Sequence, residues 1–139
     1  MIKFLTSILL VLVLNVSASE INWVADYNKG LEAAKKVNKP VLFVSSRHTC
    51  RYCVQLDETT FKDKRVIQEL NKDFVSVISY SDDNDYLPKE LWRPGTPAIW
   101  FLLPSGEPMY QPLMGAMDAE NFLKALSIVK EDFNKEKTK

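Results

Sequence analysis

The chain has 139 residues, 46% of them hydrophobic, and sets 18 basic against 18 acidic side chains. That length suits one globular domain, and the apolar content is ordinary for a folded protein with a single core. The charge balance provides no basic field for nucleic acid or another polyanion, so neither is expected as a partner.

The N-terminus differs in kind from the rest. Lys3 is followed by Phe4 to Leu14, apolar except for Thr6 and Ser7, and small residues stand at Ser17 and Ala18. This is the pattern of an export signal over residues 1–18, cleaved before Ser19. The run falls short of the roughly 20 apolar residues a membrane-spanning helix needs. No cysteine lies at the cut to carry a lipid, so residues 19–139 are expected as a periplasmic domain with no stable membrane insertion. Loss of Lys3, the only charge in the signal, leaves that domain with one excess acid.

Glu20 to Asp26 reads as a connecting strand or arm. Tyr27 to Val37 has helical composition, with Leu31, Ala34 and Val37 on one face, Gly30 as a weak point, and Asn38-Lys39-Pro40 as the stop. Val41-Leu42-Phe43-Val44 is a short apolar run, as expected of a strand buried on both faces. Cys50 to Leu56 and Asp63 to Leu70 suit helix, broken at Thr59-Thr60, with Asp63 as an N-cap and Val66, Ile67 and Leu70 facing the core.

Phe74 to Ile78 is the next strand, followed by Ser81-Asp82-Asp83-Asn84-Asp85, a solvated loop without the spacing of a calcium site. Ala98 to Leu103 is a strong strand, Pro104-Ser105-Gly106-Glu107 a turn, and Met109 to Leu113 its hairpin partner, confined to an edge by Pro112. Asp118 caps a last helix in which Phe122, Leu126, Val129 and Phe133 recur at helical spacing and Glu120, Lys124, Lys130 and Glu131 point outward; Asn134 to Lys139 is expected to fray. Tyr80, Trp92 and Trp100 fit either a groove beside the cysteine motif or, as is commoner for such aromatics, the core. The order becomes strand, helix, strand, helix, strand, helix, strand, strand, helix, an α/β pattern with a mixed sheet and helices on both faces.

The chemistry lies in Cys50-Arg51-Tyr52-Cys53, placed where a buried strand hands over to a helix. Two cysteines three positions apart are close enough to bridge. The first, in the opening turn of a helix, meets unpaired N–H groups and the positive end of the helix dipole, which stabilise a thiolate. Arg51, Tyr52 and a protonated His48 are expected to tune it further. A thiol of ordinary pKa, about 8.5, is only ~3% ionised at pH 7, whereas one lowered to about 6 is roughly 90% ionised. Cys53, one turn further in, is expected to be more buried and to act second, releasing a substrate held on Cys50.

Other uses of the same pair are a structural disulfide, zinc, haem attachment and Cu(I). A structural disulfide closing so short a loop would constrain the unfolded chain little. Zinc would want four ligands where Cys50, Cys53 and His48 offer three, and haem attachment needs His where Val54 stands. Two thiolates can, however, hold Cu(I), so a non-catalytic role in binding a partner or copper through the same pair stays open. No resident metal or organic cofactor is expected; the redox group is the Cys50–Cys53 disulfide.

With the apolar strand, the CRYC motif opening a helix, and Gly95-Thr96-Pro97-Ala98 before a further strand, the chain resembles the thioredoxin superfamily over nearly all of Ile21 to Phe133. The resemblance implies the thioredoxin fold, a central mixed sheet flanked by helices on both faces. It also implies a cis proline at Pro97 facing the cysteines, with Thr96 offering its backbone to a substrate chain. Thr before that proline looks like periplasmic isomerase and reductase members, and the spacing of Phe61, Asp63 and Val66 is similar to exported relatives. Three positions depart from the general pattern: Thr49 replaces the usual Trp, Arg51-Tyr52 replaces Gly-Pro, and Val44 replaces a buried acid. Without that acid, the proton of Cys53 must leave through water or another group. The resemblance implies a thiol–disulfide oxidoreductase of reductase or isomerase type acting on protein disulfides, re-reduced by a membrane-embedded electron donor. The direction of exchange stays open at this point.

Overall fold

In the computed structural model the described residues are 18–139; the first seventeen residues of the expected export segment lie outside them. No helix among the described residues is long and apolar enough to cross a membrane.

The sheet is built around β2 (Val41–Ser46), whose six residues are all buried. On one side it pairs in parallel with β3 (Val75–Tyr80), which carries the short parallel edge strand β1 (Trp23–Val24). On the other it pairs antiparallel with β4 (Ala98–Leu102), which carries the antiparallel edge strand β5 (Leu113–Met114). The order is thus β1-β3-β2-β4-β5, the mixed sheet expected.

Because side chains alternate along a strand, the sheet divides the core in two. Val41, Phe43, Val77, Ala98, Trp100 and Leu102 meet α1 (Tyr27–Val37) on one face. Leu42, Val44, Ile78, Ile99 and Phe101 meet α2 (Arg51–Glu58), α3 (Lys64–Asp73) and α4 (Ala119–Lys137) on the other. Asp26, Asp63 and Asp118 begin α1, α3 and α4 by accepting main-chain N–H groups of Lys29, Arg65 and Asn121, which leaves fewer first-turn donors unpaired. Asn38 closes α1 in the left-handed region, at φ 51°, a conformation its short polar side chain tolerates.

Several expectations need correction. Val37 is exposed at 52%, so the buried stripe of α1 is Tyr27, Gly30 and Ala34. Gly30 lies on that stripe because a side chain there would overlap Val77, and its lack of one lets α1 approach β3 closely. No α-helix separates β3 from β4: the segment forms two 3₁₀ turns, Ser81–Asp83 and Lys89–Leu91, and Leu91 fills the α1 face of the core. The expected hairpin partner of β4 pairs at its two ends: the Met109 N–H donates to the Phe101 carbonyl at 2.9 Å beside an isolated bridge from Leu102 to Pro108, and regular pairing follows at Leu113 and Met114. The last helix continues to Lys137, supported by Lys135 on Glu131 at 2.9 Å and by Lys137 over the Phe133 ring. Phe122, Leu126, Val129 and Phe133 are buried as the periodicity requires.

Register gathers the chemistry at one end. Ser46 pairs with Tyr80 and Ser45 with Ala98, so the loops after β2 and β3 and the chain entering β4 converge there.

Candidate active site

The loop Arg47–Thr49 delivers Cys50 to the N-cap of α2, with extended backbone at φ −84° and ψ 120°. The sulfur does what a Ser or Asp oxygen does at other helix starts: it accepts the Cys53 N–H, at 3.2 Å. The Cys50 thiol in turn lies 3.4 Å from the Thr96 carbonyl, to which it donates. Both cysteines are free thiols; Cys50 is half-buried at the surface and Cys53 is 1% exposed.

This geometry drives the two thiols apart. Partial burial works against the Cys50 thiolate, yet hydrogen bonds from the Cys53 and Thr96 side chains and from the N–H groups of Cys53 and Tyr52 outweigh it, so the Cys50 pKa is lowered. Burial dominates at Cys53, reinforced by its hydrogen bond with Cys50, and its pKa is raised despite opposing contacts from Ser46, Thr96 and Arg47.

Thr96–Pro97 is a cis peptide, and Pro97 is buried. Its carbonyl accepts the Gly115 N–H at 3.0 Å, which ties this turn to the end of β5. The structure therefore brings Cys50, Cys53, Thr96 and Pro97 together.

The other expected residues stand differently. His48 is exposed and turned to the loop after β3: its Nε2 is 2.8 Å from Asp83 Oδ2, its N–H donates to Asp82 at 2.8 Å, and its ring stacks on Tyr80 at 3.8 Å. The bond to Asp83 raises the His48 pKa. Arg51 lies over the Tyr52 ring, 5.9 Å from its centroid, and both side chains are exposed. The groups that lower Cys50 are hydrogen-bond donors around its sulfur, and Arg51 and His48 are not among them. In the polar loop, Asp82 and Asp83 hold His48 and Asp85 accepts the Tyr80 N–H.

Trp100 is a core residue whose Nε1–H donates to the Leu91 carbonyl, but Trp92 is 58% exposed and Tyr80 is half-buried beside the site, not inside the core. Sequence reasoning passed over Ser46 and Asp57. Ser46, at the end of β2, is 1% exposed and hydrogen-bonds Cys53. Asp57 sits four residues beyond Cys53 in α2, a spacing that places the two on one helix face.

Residues 27–130 match the family described as a thioredoxin-like domain. The chain belongs to that family. Among its relatives, anterior gradient protein 2 of Xenopus tropicalis is 27% identical over 124 residues, covering 81% of this chain and 75% of that protein. Mouse anterior gradient protein 3 is 28% identical over 78 residues, half of this chain, and the chain spans only 47% of its length. Among solved structures, a thioredoxin from Thermus thermophilus superposes with a TM-score of 0.66 at 25% identity, over 79% of this chain and 87% of that one. The thioredoxin fold read from the sequence is thus the fold of this family member.

Proposed function

We propose that this thioredoxin-like protein is a thiol–disulfide oxidoreductase that acts on protein disulfides in the periplasm, as a reductase or isomerase. The observation that carries this reading is the divergence of two thiols one helical turn apart: a reachable sulfur with lowered pKa and a buried one with raised pKa. A staple needs no such difference, whereas exchange needs one attacker and one resolver.

In the forward step the Cys50 thiolate attacks a substrate disulfide; a Cys50–substrate bond forms, the substrate bond breaks, and the first substrate sulfur leaves with the electron pair. Cys53 then loses its proton and attacks Cys50, releasing the second substrate thiol and closing the Cys50–Cys53 disulfide. The protein dithiol is oxidised by two electrons and the substrate disulfide is reduced. The hydrogen bonds that stabilise the Cys50 thiolate make it a good leaving group in the reverse of the first step, when the freed substrate thiolate attacks the mixed disulfide, which keeps that step reversible. Thr96, whose carbonyl faces the attacking sulfur, and Pro97 guide the substrate backbone across the site. Working as a reductase requires a donor of electrons, for which a membrane-embedded protein fits an exported domain.

Trapping tests the reading. Cys53→Ser is expected to accumulate mixed disulfides with exported proteins, and Cys50→Ser to accumulate none. A reduction potential near about −270 mV marks a reductant, whereas one near about −120 mV marks an oxidant and overturns the reductase direction. A Cys53→Ser protein that traps nothing, beside a wild type that reduces no disulfide, removes the proposal.

A further inference from the structure

Resolution of the mixed disulfide leaves a proton to be moved. Cys53 is buried as a thiol with raised pKa, and Val44, the position where the resemblance would place an acid, is apolar and 1% exposed. A different acid lies within reach of this problem. Asp57 follows Cys53 by one turn on the same face of α2 and is half-buried. It lines a cleft of about 230 Å³ with Glu20, Trp23, Phe61, Lys62 and Tyr80, room for several water molecules. Tyr80 touches both this cleft and the loop that carries the cysteines: it borders the cleft, stacks on His48, and is the register partner of Ser46, whose side chain favours the Cys53 thiolate.

The charged groups around Asp57 come from several elements. Glu58 is its neighbour in α2, Lys62 stands in the turn before α3, and Glu20 borders the cleft from the N-terminal arm. His48 approaches from the loop after β2 and Tyr80 from β3, with Asp82 and Asp83 beyond His48. Burial raises the Asp57 pKa first, His48 and Lys62 pull it back, and Glu58 adds to the rise. Unlike Asp82 and Asp83, which hold His48, Asp57 forms no salt bridge among the described residues. A carboxylate kept partly dry, unpaired and basic beside a buried thiol is matched to proton transfer.

We propose that Asp57 is the proton acceptor for Cys53, acting through the water of this cleft and not by contact with the sulfur. The proposal rests on the oxidoreductase reading. The Cys53 S–H bond breaks and its proton passes to the Asp57 carboxylate as Cys53 bonds to Cys50. The Cys50–substrate bond breaks, its electron pair leaving on the substrate thiolate, and the carboxylic acid then returns its proton to solvent along the cleft.

The aromatic disulfide dithiobis(nitrobenzoate) separates the two steps, because Cys50 attack releases one coloured thiolate and Cys53 resolution a second. With reduced, full-length protein, Asp57→Asn is expected to leave the first release within about twofold of wild type. The second should slow by at least about tenfold at neutral pH. The carboxylate accepts a proton only above its own pKa, so the wild-type second release should fall as pH drops through that raised value. Asp57→Asn should lose this limb and Asp57→Glu should keep it. A second release at the wild-type rate across the pH range overturns the proposal alone. So does an equal slowing of both releases, which marks a structural role. A wild type with no first release overturns the oxidoreductase reading and the proposal together.

Discussion

The two ends of β2 are equally buried and chemically opposite. Val41 to Val44 are 0–1% exposed and surrounded by hydrocarbon from both faces of the sheet, whereas Ser45 and Ser46, 7% and 1% exposed, lead into the cysteine loop. Burial in the first region is held by packing and in the second by hydrogen bonds. The lesson is a division of labour: the apolar end of the strand supplies rigidity, and the polar end leads into the loop where burial and hydrogen bonds from Thr96, Ser46 and the first turn of α2 set the proton affinities of the thiols. Changes in the first region should alter stability and spare reactivity; changes in the second should do the reverse.

The hardest test of that separation is Phe43→Ala. Phe43 is fully buried and packs edge-on against Tyr27 with ring centroids 5.2 Å apart, so its loss should cost about 3–5 kcal/mol in denaturant unfolding. Alkylation of Cys50 in the protein that remains folded should keep its wild-type rate; a changed rate breaks the comparison. Gly30→Ala should cost about 1–3 kcal/mol, since the added methyl collides with Val77 and forces α1 off β3. Here too the thiol chemistry should stay as it was, and a midpoint equal to wild type would mean that α1 slides without loss.

Asp63→Ala is expected to be milder, about 0.5–2 kcal/mol at neutral pH, through loss of the α3 cap. Side-chain hydrogen bonds from Arg65 hold the Asp63 carboxyl down to about 2. A carboxyl depressed in the folded state stabilises above its unfolded pKa, and that contribution fades as pH falls through about 2. The difference between wild type and variant should therefore shrink in acid, which unfolding curves at several pH values will reveal.

What could be read from the sequence follows the same boundary. Asp63 and Asp118 announced their helices because a cap and the apolar period behind it are local, whereas Asp26, read as the end of an arm, caps α1 in the fold. Cys50 and Cys53 were legible from their spacing at the start of a helix, and Thr96 and Pro97 through the family resemblance. Gly30 was not: its meaning lies in Val77, brought against it by a parallel pairing no local pattern encodes. The same holds for His48, which the sequence placed beside a sulfur and the fold turned toward Asp83. The element order placed a helix between the strands at Phe74 and Ala98, because composition alone does not show that Leu91 must drop into the α1 face of the core from a single 3₁₀ turn. Asp57 carried its helical spacing from Cys53 in plain view, but its burial depended on Tyr80 and the arm at Glu20.

The subtlest consequence separates the thiols themselves. In the reduced protein the folded state lowers the Cys50 pKa, so across the window below the ordinary thiol value the unfolded chain binds more protons there and stability rises with pH. At Cys53 the folded state holds the proton more tightly, so above the ordinary value the unfolded chain ionises first and stability falls with pH. In the wild type these slopes meet near the ordinary thiol range and produce a shallow maximum. Cys53→Ser, which keeps the N–H that Cys50 accepts, should retain only the rise; Cys50→Ser should retain only the fall. Unfolding curves of the two reduced variants through neutral and alkaline pH will measure both slopes. Parallel slopes would mean that burial and the donors around the first turn of α2 do not distinguish the two sulfurs, and the asymmetry on which attack and resolution depend would be lost.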